Sequence, residues 1–256
     1  MTYQTLLYSV TDDVATITLN RPERMNALSV ELMIELADAI GRTQKEGARA
    51  LVLTGASTSF CSGADLTAGM PDDLGALLDQ YYHPVVDALA GLDMPVISAI
   101  NGPAVGAGLS IALAADIVVM ARSAYLLLAF ANIGLVPDAG ATWLIAKSAG
   151  RAKALEMALL AERISAEQAL DYGLVTRVVD DEEVVQAAGA IAAKLAHGPS
   201  IALGFIRKQV AAALNATLTQ TLDIEKVNQA AAGRTQDFRE AVTAFVQKRK
   251  PEFRGE

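Results

Sequence analysis

Short apolar runs at residues 50–54, 95–100 and 117–121 recur through the first half of the chain, each preceded by a stretch of helical period. Runs of that length bounded by Gly, Pro and Asn are strands buried on both faces. Ser29 can cap a helix in which Leu32, Leu36 and Ile40 recur every four residues, and residues 72–92 and 106–115 supply two more. Ahead of them Val14–Leu19 alternates with period two, and residues 3–10 offer an antiparallel partner across Thr11-Asp12-Asp13. This alternation predicts an α/β fold, a layered and mainly parallel sheet opened by a hairpin.

From residue 139 the strands thin out. Helices are expected at 139–149, 151–160 and 165–172, where Ser165 and Gln168 form a capping-box pattern and Gly173 a stop. One more strand, 174–179, precedes helices near 181–197, 200–213, 217–233 and 237–250. Gly198-Pro199 is a hinge signal, dividing the chain into a core, residues 1–198, and a C-terminal helical region, residues 199–256. So apolar a helical region needs a surface to pack on, either the core or a neighbouring subunit.

With 52% hydrophobic residues the chain must bury a core, and 21 basic against 29 acidic side chains leave a net charge of −8. That balance argues against a nucleic-acid footprint and against attraction to an anionic membrane. The single cysteine, Cys61, excludes an intrachain disulfide, and two histidines, His83 and His197, leave little material for a metal cage. Residues 94–115 are uncharged over a length that could span a bilayer, yet Pro95, Asn101, Gly102, Pro103, Gly106 and Gly108 interrupt them. Strand, turn and buried helix are expected there instead. Residues 1–13 carry no Lys or Arg and no long apolar core, so no leader is expected and a cytoplasmic location is.

Three segments could carry chemistry. Ser59-Phe60-Cys61-Ser62-Gly63-Ala64-Asp65-Leu66 is a small-residue loop after a buried strand, where backbone N–H groups can approach a ligand and Asp65 suits a helix start. Asn101-Gly102-Pro103-Ala104-Val105-Gly106-Ala107-Gly108-Leu109 repeats that design at a helix N-terminus. The two loops are either tight turns with close helix packing or, together, an oxyanion hole. Gly106-Ala107-Gly108 is not a dinucleotide fingerprint, because Ile111 stands where its third glycine would be. The third segment, Ile133-Gly134-Leu135-Val136-Pro137-Asp138-Ala139-Gly140, sets a carboxylate among apolar residues just before a helix. Asp138 is there either an N-cap or a desolvated general base.

These segments in this order, joined to Arg21-Pro22-Glu23-Arg24-Met25-Asn26-Ala27-Leu28, resemble the crotonase (enoyl-CoA hydratase/isomerase) superfamily. Residues 115–117, 162–169, 173–175 and 245–249 extend the likeness over essentially the whole chain. The resemblance implies a spiral of ββα units with a C-terminal helical trimerisation region, assembled as a homotrimer or a dimer of trimers. It implies an acyl-CoA thioester as substrate, its carbonyl oxygen accepting hydrogen bonds from the N–H groups of Ala64 and Ala107. No cofactor or metal is expected, CoA being part of the substrate. Arg24, Met25, Ala27, Ser62, Asp65 and Leu66 would line the CoA channel, and Val105, Ser110, Phe130, Ile133 and Pro137 the substrate side. Phe245 and Lys248 would reach the adenine of a neighbouring subunit's ligand, although Lys248 equally fits a solvated helix tail.

The departures from the family pattern matter more. Hydratases of the family carry two glutamates, and the matching positions here are Ser110 and Phe130. Asp138 then remains the candidate base, Asp116 fitting a structural place at a helix-to-strand junction. One carboxylate suits moving a proton between carbons better than it suits syn hydration. The expected function is therefore enoyl-CoA isomerisation through a stabilised enolate. The alternatives are an enoyl-CoA hydratase lacking the glutamate pair or a catalytically silent acyl-CoA-binding protein. The Leu-Val-Pro-Asp-x-Gly form looks like the phenylacetyl-CoA-epoxide isomerase branch and like enoyl-CoA isomerases, where an acid at this place moves protons. The dehalogenase branch places a base histidine near His83, but it wants a Trp at Phe130, and Trp143 lies beyond Asp138 in the chain.

Overall fold

The expected hairpin forms from β1 (Leu6–Thr11) and β2 (Val14–Leu19), in a computed structural model that describes residues 2–69 and 71–256. The alternation of β2 becomes a one-sided burial pattern, with Ala15, Ile17 and Leu19 in the core. The strand β3 (Ala50–Gly55) is buried at all six positions because it sits inside the sheet, flanked in parallel by β2 and β4 (Val96–Ile100). The remaining strands are β5 (Ala104–Val105), β6 (Ile117–Ala121), β7 (Tyr125–Leu127), β8 (Arg163–Ser165) and β9 (Arg177–Val179). Six strands form one sheet in the order β1-β2-β3-β4-β6-β9, parallel from β2 onward. A second sheet, β5-β7-β8, was not expected, since two- and three-residue strands are too short to show a period.

The helices are α1 (Val30–Lys45), α2 (Leu74–Leu77), α3 (His83–Gly91), α4 (Ala107–Leu113), α5 (Ala141–Leu160), α6 (Ala166–Asp171) and α7 (Val184–Ala196). Ser29 caps α1 by accepting the Leu32 N–H, and Leu32, Leu36 and Ile40 turn inward as their spacing requires. On α7 the buried positions are Val184, Ala188, Ala192 and Ala196, a four-residue stripe small enough to lay the helix close on β3, β4 and β6. Ser165 and Gln168 make the reciprocal capping box that starts α6. The two helices expected at 139–149 and 151–160 are both present as the two halves of α5, separated by the non-helical Gly150 (φ 79°, ψ 165°). Residues 94–115 fold as β4, β5 and α4, and among the described residues no single helix is long and apolar enough to cross a membrane.

The chain thus runs strand to large sheet, strand to small sheet, then helix: β4–β5–α4 and β6–β7–α5 are two such ββα turns. Past Pro199, α8 (Ser200–Ala213), α9 (Leu218–Ala232) and α10 (Gln236–Gln247) bury little of their own surface. Leu218, Val227, Phe245 and Val246 all stand exposed on them. Arg207 of α8 ties this region to the core, donating to the carbonyls of Leu89 and Leu92 at the end of α3 and pairing with Asp116 at 2.7 Å. Asp116 therefore has a structural place, also accepting the Val96 N–H.

Candidate active site

Two asparagines bring the small-residue loops together. Asn101, at the end of β4, donates to the carbonyls of Gly55 and Ser57 and accepts the Gly55 N–H, clamping the end of β3 to its own strand. Asn26, fully buried, donates to the carbonyls of Ala56 and Ser59 and accepts the Arg21 N–H. The segment 21–28 is in this way fastened along the first loop, with Leu28 N–H bonded to Gly63 and Asp65 N–H to Leu28. The second loop is laid on the first by the bonds from Cys61 N–H to the Pro103 carbonyl and from Val105 N–H to the Cys61 carbonyl.

At that seam the N–H groups of Ala64 and Ala107 have no acceptor among the described residues, and both residues line one cavity. Ala107 is the first residue of α4, where an N–H has no partner within the helix. Gly106 precedes it at φ 53°, ψ −129°, a backbone state open to glycine. Gly108 permits the close approach, since a Cβ there would lie 2.6 Å from Cys61 Cβ and Sγ. Burial pushes the Cys61 thiol up to about 12, so it stays a neutral packing group. Two unpaired N–H donors on one walled cavity are the parts from which an oxyanion hole is built.

Asp138 faces the same cavity. It is not the N-cap of α5, a position held by Gly140 in the left-handed region after Ala139 at φ 47°. Its Oδ1 is buried and has no hydrogen-bond partner among the described residues. Burial raises its carboxyl to about 6, with the charge of His83 pulling the other way. Ser110, fully buried on α4, donates to the backbone carbonyl of Asp138 at 3.0 Å, and Ala141 N–H bonds the same oxygen. The helix that presents the Ala107 N–H therefore also holds the backbone of the acid.

The cavity measures about 600 Å³. Of the residues expected at the site, Ser62, Ala64, Leu66, Val105, Ala107, Phe130, Ile133, Pro137 and Asp138 line it. Ser110 does not; it lies behind the wall, bonded to Asp138. Asp65 turns away to the Arg21 guanidinium at 2.8 Å and caps the turn Leu66–Ala68, its carboxyl held down to about 2 by the hydroxyl of Thr67 and by Arg21. Arg24 and Met25 stand exposed on the neighbouring segment, and Ala27 is buried beneath it. Phe245 and Lys248 lie on and just past α10, exposed and outside this chain's cavity.

Sequence reasoning missed one whole wall. Leu74, Leu77, Leu78 and Tyr82 come from the continuous helical stretch 74–91, together with His83, which the sequence offers as a base only through the dehalogenase likeness, and Trp143 comes from the first turn of α5. Trp143 follows Asp138 in the chain, yet both line the same cavity. Within the stretch, Leu78–Tyr82 is a π-turn in which the His83 N–H reaches the Leu78 carbonyl. His83 Nδ1 meets Asp79 at 2.9 Å, the only side-chain partner it has among the described residues. Those residues hold no cluster of His, Cys, Asp and Glu able to bind a metal.

Residues 9–256 match the family model described as enoyl-CoA hydratase/isomerase. The 1,2-epoxyphenylacetyl-CoA isomerase of Escherichia coli K12 is 44% identical, over 98% of each chain. A probable enoyl-CoA hydratase of Rhodobacter capsulatus is also 44% identical, over the full length of both. Among solved structures, an enoyl-CoA hydratase subunit from Geobacillus kaustophilus superposes with a TM-score of 0.94 at 33% identity, covering 99% of each chain.

Proposed function

The chain belongs to the enoyl-CoA hydratase/isomerase family and has the crotonase fold, and from that premise we propose that it is an isomerase of enoyl-CoA thioesters. One observation carries this reading: Asp138, with an unpartnered buried oxygen, is the one carboxylate among the described residues lining the cavity. Syn hydration needs a water activated at C3 and a proton delivered at C2, and a pair of acids is suited to that division. Allylic isomerisation needs a single base that removes a proton from C2 and returns it to C4. The thioester makes the C2 proton acidic, and the N–H groups of Ala64 and Ala107 hold the oxygen of the resulting enolate. Asp138, raised toward neutrality by burial, is strong enough as a base and, once protonated, acidic enough to give the proton back.

The proposed chemistry calls for neither metal nor nicotinamide. Ser62, Leu66 and Val105 fit beside the thioester, with Arg24, Met25 and Ala27 along the outer lip for CoA. The exposed apolar faces of α8–α10 support self-association, and a homotrimer would place Phe245 and Lys248 near a neighbour's ligand. The test is turnover of a 3-enoyl-CoA against hydration of a 2-enoyl-CoA by the same preparation. Faster isomerisation is expected. Faster hydration would favour the hydratase reading, and turnover of neither a silent acyl-CoA carrier.

A further inference from the structure

The wall from residues 74–91 brings a phenol, Tyr82, whose purpose the proton shuttle leaves unexplained. Tyr82 is 5% exposed, lines the cavity, and its hydroxyl has no hydrogen-bond partner among the described residues. Ser62, Gly63 and Ala64 of the first small-residue loop and Asp138 line the same cavity, and the charges of Asp138 and Asp65 both act on the phenol. Burial, and then the Asp138 carboxylate, push its proton affinity further up, so it is a donor at any working pH. The π-turn that ends at Tyr82 shifts the helical phase there. Leu74, Leu77, Leu78 and Trp143 make the same wall largely apolar, with His83 its other polar member.

A hydrocarbon acyl chain filling this space would strip water from the phenol and offer no acceptor in return. Leaving a buried donor unsatisfied is unfavourable, and sites of this kind reject ligands that lack the matching group. The thioester oxygen does not serve, because the Ala64 and Ala107 N–H groups already converge on it. We propose that Tyr82 forms an oxygen-recognising subsite, and that the acyl group carries an ether, hydroxyl or carbonyl oxygen beyond C2 that accepts its hydrogen bond. The inference rests on the acyl-CoA reading of the cavity but not on isomerase turnover.

Calorimetric titration of wild type and Tyr82→Phe with hexanoyl-CoA, 3-hydroxyhexanoyl-CoA and 4-hydroxyhexanoyl-CoA tests it without relying on catalysis. Wild type should bind at least one oxygenated ligand about 10- to 100-fold tighter than hexanoyl-CoA, and Tyr82→Phe should bring that ratio close to one. Equal wild-type affinity for the three ligands overturns the subsite. So does a Tyr82→Phe variant that weakens all three alike, the signature of a packing role. Failure of wild type to bind any of the three overturns the acyl-CoA reading itself, and the subsite with it.

Discussion

Replacing Asp138 by Asn separates base strength from shape, because the amide fills the same space and cannot take up a proton. In the folded protein the carboxyl titrates at about 6 rather than at its ordinary 3.8, with burial the main cause. At pH 7 roughly nine-tenths of it is ionised, and below 6 the base form falls about tenfold per pH unit. Activity of wild type on a 3-enoyl-CoA should therefore lose its acid limb near pH 6, and Asp138→Asn should cut turnover about 10²- to 10⁴-fold. Stability should move the opposite way. A folded-state value above the unfolded one means that between about pH 4 and 6 the native state holds a proton the unfolded state has released. Raising the pH through that window costs native stability, and the loss is complete above about 6. Two units correspond to about 3 kcal/mol, reduced to about 1–2 kcal/mol because the side chain is only partly buried. Asp138→Asn should match wild type below pH 4 and exceed it by that amount at pH 8, measured by urea unfolding at several pH values. A pH-independent stability difference, or wild-type activity that persists unchanged to pH 4, refutes the reasoning.

Three further outcomes follow from the same geometry. Ser110→Ala removes one of two hydrogen bonds to the Asp138 carbonyl, so kcat should fall about 3- to 10-fold with KM little changed; a rise in KM alone would mean that Ser110 touches the ligand. Gly108→Ala forces a Cβ against Cys61 at 2.6 Å, which should destabilise the fold by about 1–3 kcal/mol in thermal or urea unfolding and displace the Ala107 N–H. Turnover should drop about 10²- to 10³-fold with it, and retained activity would remove Ala107 from the oxyanion role. Sedimentation at micromolar concentration should give a mass of three or six chains, and a single-chain mass would show that α8–α10 leave their apolar faces to solvent.

What the sequence made legible was whatever has a long enough period or a complete cap. The burial of β2, β3 and α1 follows from residue spacing alone, and the capping box at Ser165 and Gln168 marks the start of α6 to the residue. The small sheet was illegible, because β5, β7 and β8 hold two or three residues each and are made by their partners rather than by their own pattern. Asn26 and Asn101 carry no periodic signal either, yet they decide how the two loops meet, through hydrogen bonds to carbonyls 30 to 46 positions away.

For the site the division is physical too. Ala64, Ala107 and Asp138 sit in segments whose local chemistry, small residues after a strand or an acid among apolar neighbours, already sets them apart. Asp65 looked equally eligible in the same loop, but Arg21 and Thr67 draw its side chain out of the cavity, and Arg21 lies 44 positions away. Tyr82 and His83 could not be assigned to the cavity from a helical wheel, since consecutive residues of an α-helix point about 100° apart. The π-turn over Leu78–Tyr82 changes that phase, and it is a property of how the helix seats against the core. Here the π-turn ends on Tyr82, whose hydroxyl meets the cavity with no hydrogen-bond partner among the described residues. A hydrocarbon ligand would strip water from that hydroxyl and leave it unsatisfied, whereas a ligand oxygen at Tyr82 would replace the lost hydrogen bond.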